Sequence, residues 1–268
     1  MTADRNLQNF HTHTIRCGHA SGSEREYIEA AIQSGFELLG FSDHTYYPYN
    51  NGYVSGIRMS TAKQLQDYVE TLEHLREEYR DRIDIRIGLE VEYYPKHFEE
   101  LIRITKQLPI EFMLLAQHYS DNEYDGIYFG SPTEREEDLE QYVLQLEEGM
   151  RRIREMKEER FLYLAHPDLI HYTGDRRIYE KWMRRLIDSA MMLDFPLEIN
   201  LQGTRTGRHY PAEDFWKWAG EAGAETVIGL DAHAPEAVTV QGAYEEALAL
   251  ASRYDLKLIR LTDKRRKA

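Results

Sequence analysis

Apolar positions along the chain fall into two alternating patterns. Short runs with the character of strands occur at 7–13 (LQNFHTH), 37–43 (ELLGFSD), 83–93 (IDIRIGLEVEY) and 112–118 (FMLLAQH), then at 161–167 (FLYLAHP), 196–202 (PLEINLQ), 226–232 (TVIGLDA) and 256–262 (LKLIRLT). Between them lie longer segments with apolar residues every three or four positions. Residues 23–35 begin at a serine cap and end at glycine, and 61–80 carries Leu65, Tyr68, Leu72 and Leu75 on one face. Further helical patterns cover 97–107, 134–159, 177–193, 213–222 and 236–253. Strands alternating with helices predict parallel strands joined by right-handed crossovers, an α/β protein. Seven or eight such units favour a barrel over an open sheet. No Pro/Gly/Ser-rich linker, low-complexity tract or internal repeat divides the chain, so one domain over 1–268 is expected.

Composition narrows the function. Hydrophobic residues make up 42% of the chain, enough for a proper core. Lys plus Arg number 33 and Asp plus Glu 47, a net charge of −14, which argues against a nucleic-acid surface because phosphate backbones require a basic footprint. A metal-rich pocket reverses the sign locally, so a small phosphorylated substrate stays compatible with the acidity. Cys17 is the only cysteine and rules out an intrachain disulfide. The N-terminus lacks a signal-like apolar run, no stretch of 18 apolar residues occurs, and the basic tail DKRRKA reads as a solvated end. A soluble, cytoplasmic protein without membrane contact is expected; nothing in the sequence specifies an oligomeric state.

The histidines are placed unevenly. His11, His13, His19, His44, His118, His166 and His233 fall at or just beyond the C-terminal end of an expected strand, and Glu90 and Asp231 occupy the same level of the third and seventh strands. In parallel α/β barrels these ends form one face, where active sites are built. Imidazole nitrogens and carboxylate oxygens suit Zn²⁺, Mn²⁺ or Fe²⁺, and no thiolate cluster competes. Nine donors exceed the needs of one ion, so more than one is expected. His74 and His97 lie in helical stretches and read as surface residues; His171 and His209 lie in loops after strands, within reach of a substrate.

In order along the chain, HTHT, CGHA, SDH, GLEVEY, QHYS, AHPDL, EINLQGTR and GLDAH resemble the motifs of the polymerase and histidinol phosphatase (PHP) superfamily, nearest its monofunctional histidinol-phosphatases. HxH alone is weak; the ordered set is specific. The resemblance implies a distorted (β/α)7 barrel with a trinuclear metal centre. One ion would be held by His11, His13, Glu90 and Asp231, and a second by the shared Glu90 with His118 and His166. The third would use His19, His44 and His233. Asp43 is carried over as a carboxylate behind the ligands or in contact with water, and Glu92 as a lesser candidate of the same kind. Arg205 matches the arginine that approaches the phosphate ester after E-I-N, with Arg208 second. Some relatives place another arginine after the fifth-strand histidine, where this chain reads HPDLIHYTGD; His171 or Tyr172 stand there instead.

The chemistry implied is metal-assisted hydrolysis of a phosphate monoester, L-histidinol phosphate in the nearest relatives. Ions bind the phosphoryl oxygens and make hydroxide from water near neutral pH, and Arg205 adds charge against the equatorial oxygens. The proton for the leaving group could come from a metal-bound water, Asp43 or His209. The chain has no phosphate-cradling glycine motif, no G-x-S-x-G elbow and no C-x5-R loop around Cys17. The alternatives are a PHP hydrolase acting on another small phosphoester or nucleotide, and a non-catalytic metal-binding barrel.

Overall fold

The computed structural model describes residues 7–264, which form two compact units. The first comprises the chain to Glu90, Glu99–Met113 and Leu230–Gln241; the second comprises Val91–Phe98, Leu114–Gly229 and the segment from Gly242.

In the first unit β1 (Leu7–Asn9), β2 (Phe36–Phe41) and β3 (Asp84–Glu92) pair in parallel, in sequence order. The crossover α1 (Glu24–Gln33) starts at a capping box, Ser23 bonding the Glu26 amide while Glu26 bonds back, and α2 (Ala62–Tyr79) starts at the Thr61 cap. The expected stripe Leu65, Tyr68, Leu72 and Leu75 is buried, joined by Val69 and Tyr79. α3 (Phe98–Thr105) leads into β4 (Phe112–Ala116). Phe112 fills a slot beside Phe10, ring centroids 5.1 Å apart, that exists because Gly40 and Gly88 carry no side chain. A Cβ on Gly88 would lie 2.4 Å from the Phe112 ring.

In the second unit β5 (Phe161–Leu164), β6 (Leu197–Asn200), β7 (Glu225–Gly229) and the short β8 (Lys257–Leu258) pair in parallel, again in sequence order. Their helices are α4 (Glu136–Glu155), α5 (Arg176–Met192), α6 (Leu201–Thr206), α7 (Glu213–Ala222), α8 (Ala243–Arg253) and α9 (Leu261–Lys264).

Several expected strands end early. The run 7–13 stops at Asn9, whose side chain takes over the local bonding: Nδ2 donates to the His11 carbonyl and Thr12 hydroxyl, while Oδ1 accepts from His11 and Leu230 amides. The runs 161–167 and 226–232 end before His166 and Asp231, whose φ values of 29° and 47° lie in the left-handed region; strands cannot continue through it. The run 196–202 becomes α6 because Asn200 caps it, accepting from the amides of Gln202 and Gly203. The run 256–262 is β8 followed by α9, and 236–253 is a 3-10 turn at Pro235–Ala237 followed by α8. The result is eight strands among the described residues, one more than the resemblance implies.

Candidate metal centre

The first-unit donors expected from the sequence gather in one cluster, with His11, His13, His44, Glu90 and Asp231 buried, His233 half-buried and His19 exposed at its edge. His11 and His13 follow β1, with the Thr12 backbone bridged to Ala232. His44 follows β2 and bridges to Glu90 on β3. His13 Nε2 lies 3.1 Å from Asp231 Oδ1 and 3.3 Å from Glu90 Oε2, without the angles of a hydrogen bond. His11 Nε2 is 3.4 Å from Glu90 Oε2 and 3.6 Å from Asp231 Oδ1, and His44 Nδ1 is 3.1 Å from Glu90 Oε2. His19, beyond a 3-10 turn (Ile15–Cys17) that ends at left-handed Gly18, faces His233, their Nε2 atoms 2.9 Å apart.

The opposite nitrogens are held from behind. His13 Nδ1 is 3.4 Å from Asp43 Oδ1, His19 Nδ1 is 3.1 Å from the Cys17 carbonyl, and His233 Nδ1 is 3.2 Å from the Asp231 carbonyl. Asp43 itself accepts the Thr14 hydroxyl and the His44 amide. In His13 and His19, where Nδ1 is anchored, Nε2 is the atom presented to the cluster, the arrangement found behind metal-ligating histidines; His44 instead turns Nδ1 toward Glu90. The groupings His11–His13–Glu90 and His13–His44–His233 each bring one donor atom per residue within 4.8 Å of the others.

Electrostatics fits the same group. Burial opposes a charge on His13, but the close carboxylates of Asp231, Asp43 and Glu90 outweigh it and raise its pKa to about 9. Burial also opposes ionisation of Asp231, yet His11, His13 and His233 hold it well below the carboxylate range. Burial, then the charges of His233 and His13, bring His19 down to about 4; burial and His13 lower His233 as well. Positive charge is thus favoured at the His13–Asp231–Glu90 focus and neutral imidazoles around it. A divalent cation with N/O ligands fits these residues. Cys17 is fully buried and its thiol is pushed up by that burial and by Asp43, so it has no nucleophilic character.

The second unit holds its own donors. His118 follows β4 and His166 follows β5, their rings 4.7 Å apart. Glu92 accepts the amides of His118 and Tyr119 at 3.1 and 3.3 Å. Two further buried carboxylates were not singled out from the sequence. Glu198, in the EIN motif, accepts the His166 amide at 3.0 Å, the Asn200 amide group at 2.9 Å and the Tyr163 hydroxyl at 3.2 Å. Asp168 accepts the Ala212 amide at 2.6 Å and the Trp216 indole at 3.1 Å; burial raises its pKa to about 7 against those bonds. The sequence signal for both was present, in EIN and in HPD, but each also holds partners more than 30 residues away.

The expected substrate contacts lie in the loops of the same unit. Arg205 is half-buried in α6, and exposed Arg208 reaches the Tyr128 hydroxyl at 3.4 Å. His171 and His209 stack, centroids 4.0 Å apart and planes within 6°, and with Tyr172 they line an open cavity of about 520 Å³. His209 Nε2 lies 2.7 Å from the Leu169 carbonyl and therefore donates to it. Burial, with the charges of His171 and Arg208, pulls His209 to about 4 despite that bond. At neutral pH it is uncharged with its one N–H engaged. In the unfolded chain it titrates near 6.5, so between these values the unfolded state holds the extra proton and stability falls as pH drops. Metal-free His209→Gln is expected to lose less thermal stability than wild type between about pH 6.5 and 4; parallel melting curves would contradict this.

Parallel strands ending in imidazoles and carboxylates define an α/β protein with a candidate divalent-metal centre. Comparison places it further: the chain belongs to the PHP domain family, which matches residues 9–202. It is 29% identical over 230 residues to the probable histidinol-phosphatase of Deinococcus radiodurans, covering 84% of this chain and 85% of that protein. A 94-residue stretch is 34% identical to the histidinol-phosphatase of Bacillus subtilis, covering 34% and 35% of the two chains. The crystal structure of histidinol phosphate phosphatase from Lactococcus lactis subsp. lactis, complexed with zinc, L-histidinol and phosphate, matches at a TM-score of 0.70 and 19% identity, covering 95% of each chain. That likeness shows a shared fold, the PHP-type α/β barrel class expected from the sequence. No helix among the described residues is long and apolar enough to cross a membrane.

Proposed function

We propose that this chain is a metal-dependent phosphate monoester hydrolase, a histidinol-phosphatase that converts L-histidinol phosphate and water to L-histidinol and phosphate in histidine biosynthesis. The observation that carries the metal dependence is the convergence of His11, His13 and His44 nitrogens with Glu90 and Asp231 oxygens around one charge focus. Support for the substrate comes from relatives named histidinol-phosphatase along most of the chain.

Three divalent ions, Zn²⁺, Mn²⁺ or Fe²⁺, are the cofactors of this reading. His11, His13, Glu90 and Asp231 would hold one, His19, His44 and His233 another, and His118 and His166 are imidazoles of the remaining one. When bound, such ions supply Lewis-acid charge that neutralises a phosphoryl group and makes water nucleophilic at neutral pH. Asp43 keeps His13 turned so that Nε2 faces Asp231 and Glu90. Arg205 is assigned to the phosphate and Arg208 to its approach. Stacked His171 and His209, with Tyr172, form a wall suited to a flat imidazole substrate. His209 is placed in that wall and not as leaving-group acid, since it is neutral and donates to Leu169. The two units act as a single phosphoesterase domain in the cytoplasm, on a small-molecule ester and not on nucleic acid or membrane.

Initial rates of phosphate release over a panel test the substrate: L-histidinol phosphate, sugar phosphates, nucleotides, phosphotyrosine and a generic aryl phosphate. A kcat/KM at least about 100-fold higher for L-histidinol phosphate is expected, the scale of discrimination that a shaped pocket provides. Equal rates over the panel would leave a phosphoesterase and remove this substrate.

A further inference from the structure

Glu92 lies two residues beyond Glu90 on β3, so both side chains leave the same face of the strand. It is 1% exposed. Oε2 accepts the His118 amide at 3.1 Å, the Tyr119 amide at 3.3 Å and the Tyr94 hydroxyl. Oε1 lies 3.3 Å from His118 Nδ1. An ionised carboxylate only accepts, so the imidazole supplies the hydrogen in that last contact and Nδ1 carries it. The lone pair of the neutral ring is then on Nε2.

We propose that Glu92 is a positioning residue that locks His118 as the Nδ1–H tautomer and thereby presents Nε2 as its metal-binding atom. One side chain does two jobs: its Oε2 fixes the backbone turn that carries His118, and its Oε1 fixes ring rotation and proton placement. With one oxygen taken by three donors and the other by the imidazole, the carboxylate is directed at the ligand-bearing turn. The proposal rests on the reading of His118 as a ligand.

Glu92→Gln is the informative substitution because it keeps the shape. The position that receives three donors demands an oxygen, so the amide NH₂ is forced toward His118 Nδ1 and donates to it. Nδ1 must then be the acceptor, and the hydrogen moves to Nε2. Long-range ¹H–¹⁵N correlation spectra of metal-free, ¹⁵N-histidine-labelled protein near pH 8 report which nitrogen carries it, with His118→Ala identifying the signal. Wild type is expected to show Nδ1–H, and Glu92→Gln to show Nε2–H with zinc bound about 10- to 100-fold more weakly. Wild-type His118 as Nε2–H overturns the proposal, and that spectrum decides even if the variant does not fold. A folded Glu92→Gln with wild-type tautomer and zinc affinity overturns it as well. Unchanged zinc stoichiometry and affinity in His118→Ala would instead overturn the ligand assignment on which it rests, separately from the tautomer.

Discussion

Asp231→Asn is expected to lower kcat on L-histidinol phosphate by about three orders of magnitude. One carboxylate oxygen lies 3.1 Å from His13 Nε2, 3.6 Å from His11 Nε2 and 3.2 Å from His233 Nδ1. Three imidazoles share this anion, and they hold its pKa far below the ordinary range despite complete burial. The amide keeps the size and removes the charge that a cation would meet. A metal's contribution to stabilising a phosphoryl transition state is several kcal/mol, which corresponds to about 10³ in rate. Asn also tolerates the left-handed backbone at this position, so the effect should come from charge and not from misfolding. Turnover measured with the metal content of the same preparation checks this; a variant with wild-type metal content and wild-type kcat would contradict it.

Phe112→Ala is expected to cost about 3–5 kcal/mol of stability, the range for deleting a buried phenyl ring. Phe112 is 1% exposed and stands edge-on to Phe10, planes at 84°. The slot cannot close around a methyl group, because Gly40 and Gly88, which form its walls, have no side chains to move inward. Phe10 directly precedes His11, so the loss should also loosen the strand end that carries the first two imidazoles. Urea unfolding of wild type and variant measures the difference; a loss under about 1 kcal/mol would mean that the slot is filled by rearrangement.

Much of this was legible in the sequence because its signals are local. The 3.6-residue stripe Leu65–Tyr68–Leu72–Leu75 places α2 within a residue or two of its observed ends. The α/β class follows from strand and helix alternation, and His11, His13, His44 and Glu90 could be placed together because strand ends share a level. Strand ends escape the periodic pattern where a side chain or a dihedral angle decides. Asn9 and Asn200 use their amides to stop a strand and, at Asn200, to start a helix, and the left-handed turns at His166 and Asp231 leave no periodic trace. The carboxylates behind the imidazoles were only partly visible. Asp43 and Glu92 stood out by their neighbours, whereas Glu198 and Asp168 act on a His166 amide and a Trp216 indole brought near only by folding. Asp168 and Trp216 are 48 residues apart.

The most direct single test is phosphate release from L-histidinol phosphate by protein stripped with a chelator, then reloaded separately with Zn²⁺, Mn²⁺ and Fe²⁺ and assayed with its metal content. No turnover in the stripped protein and recovery with at least one of these ions is the expected result. Full turnover by demonstrably metal-free protein, or none with the ions bound, would contradict a metal-dependent histidinol-phosphatase.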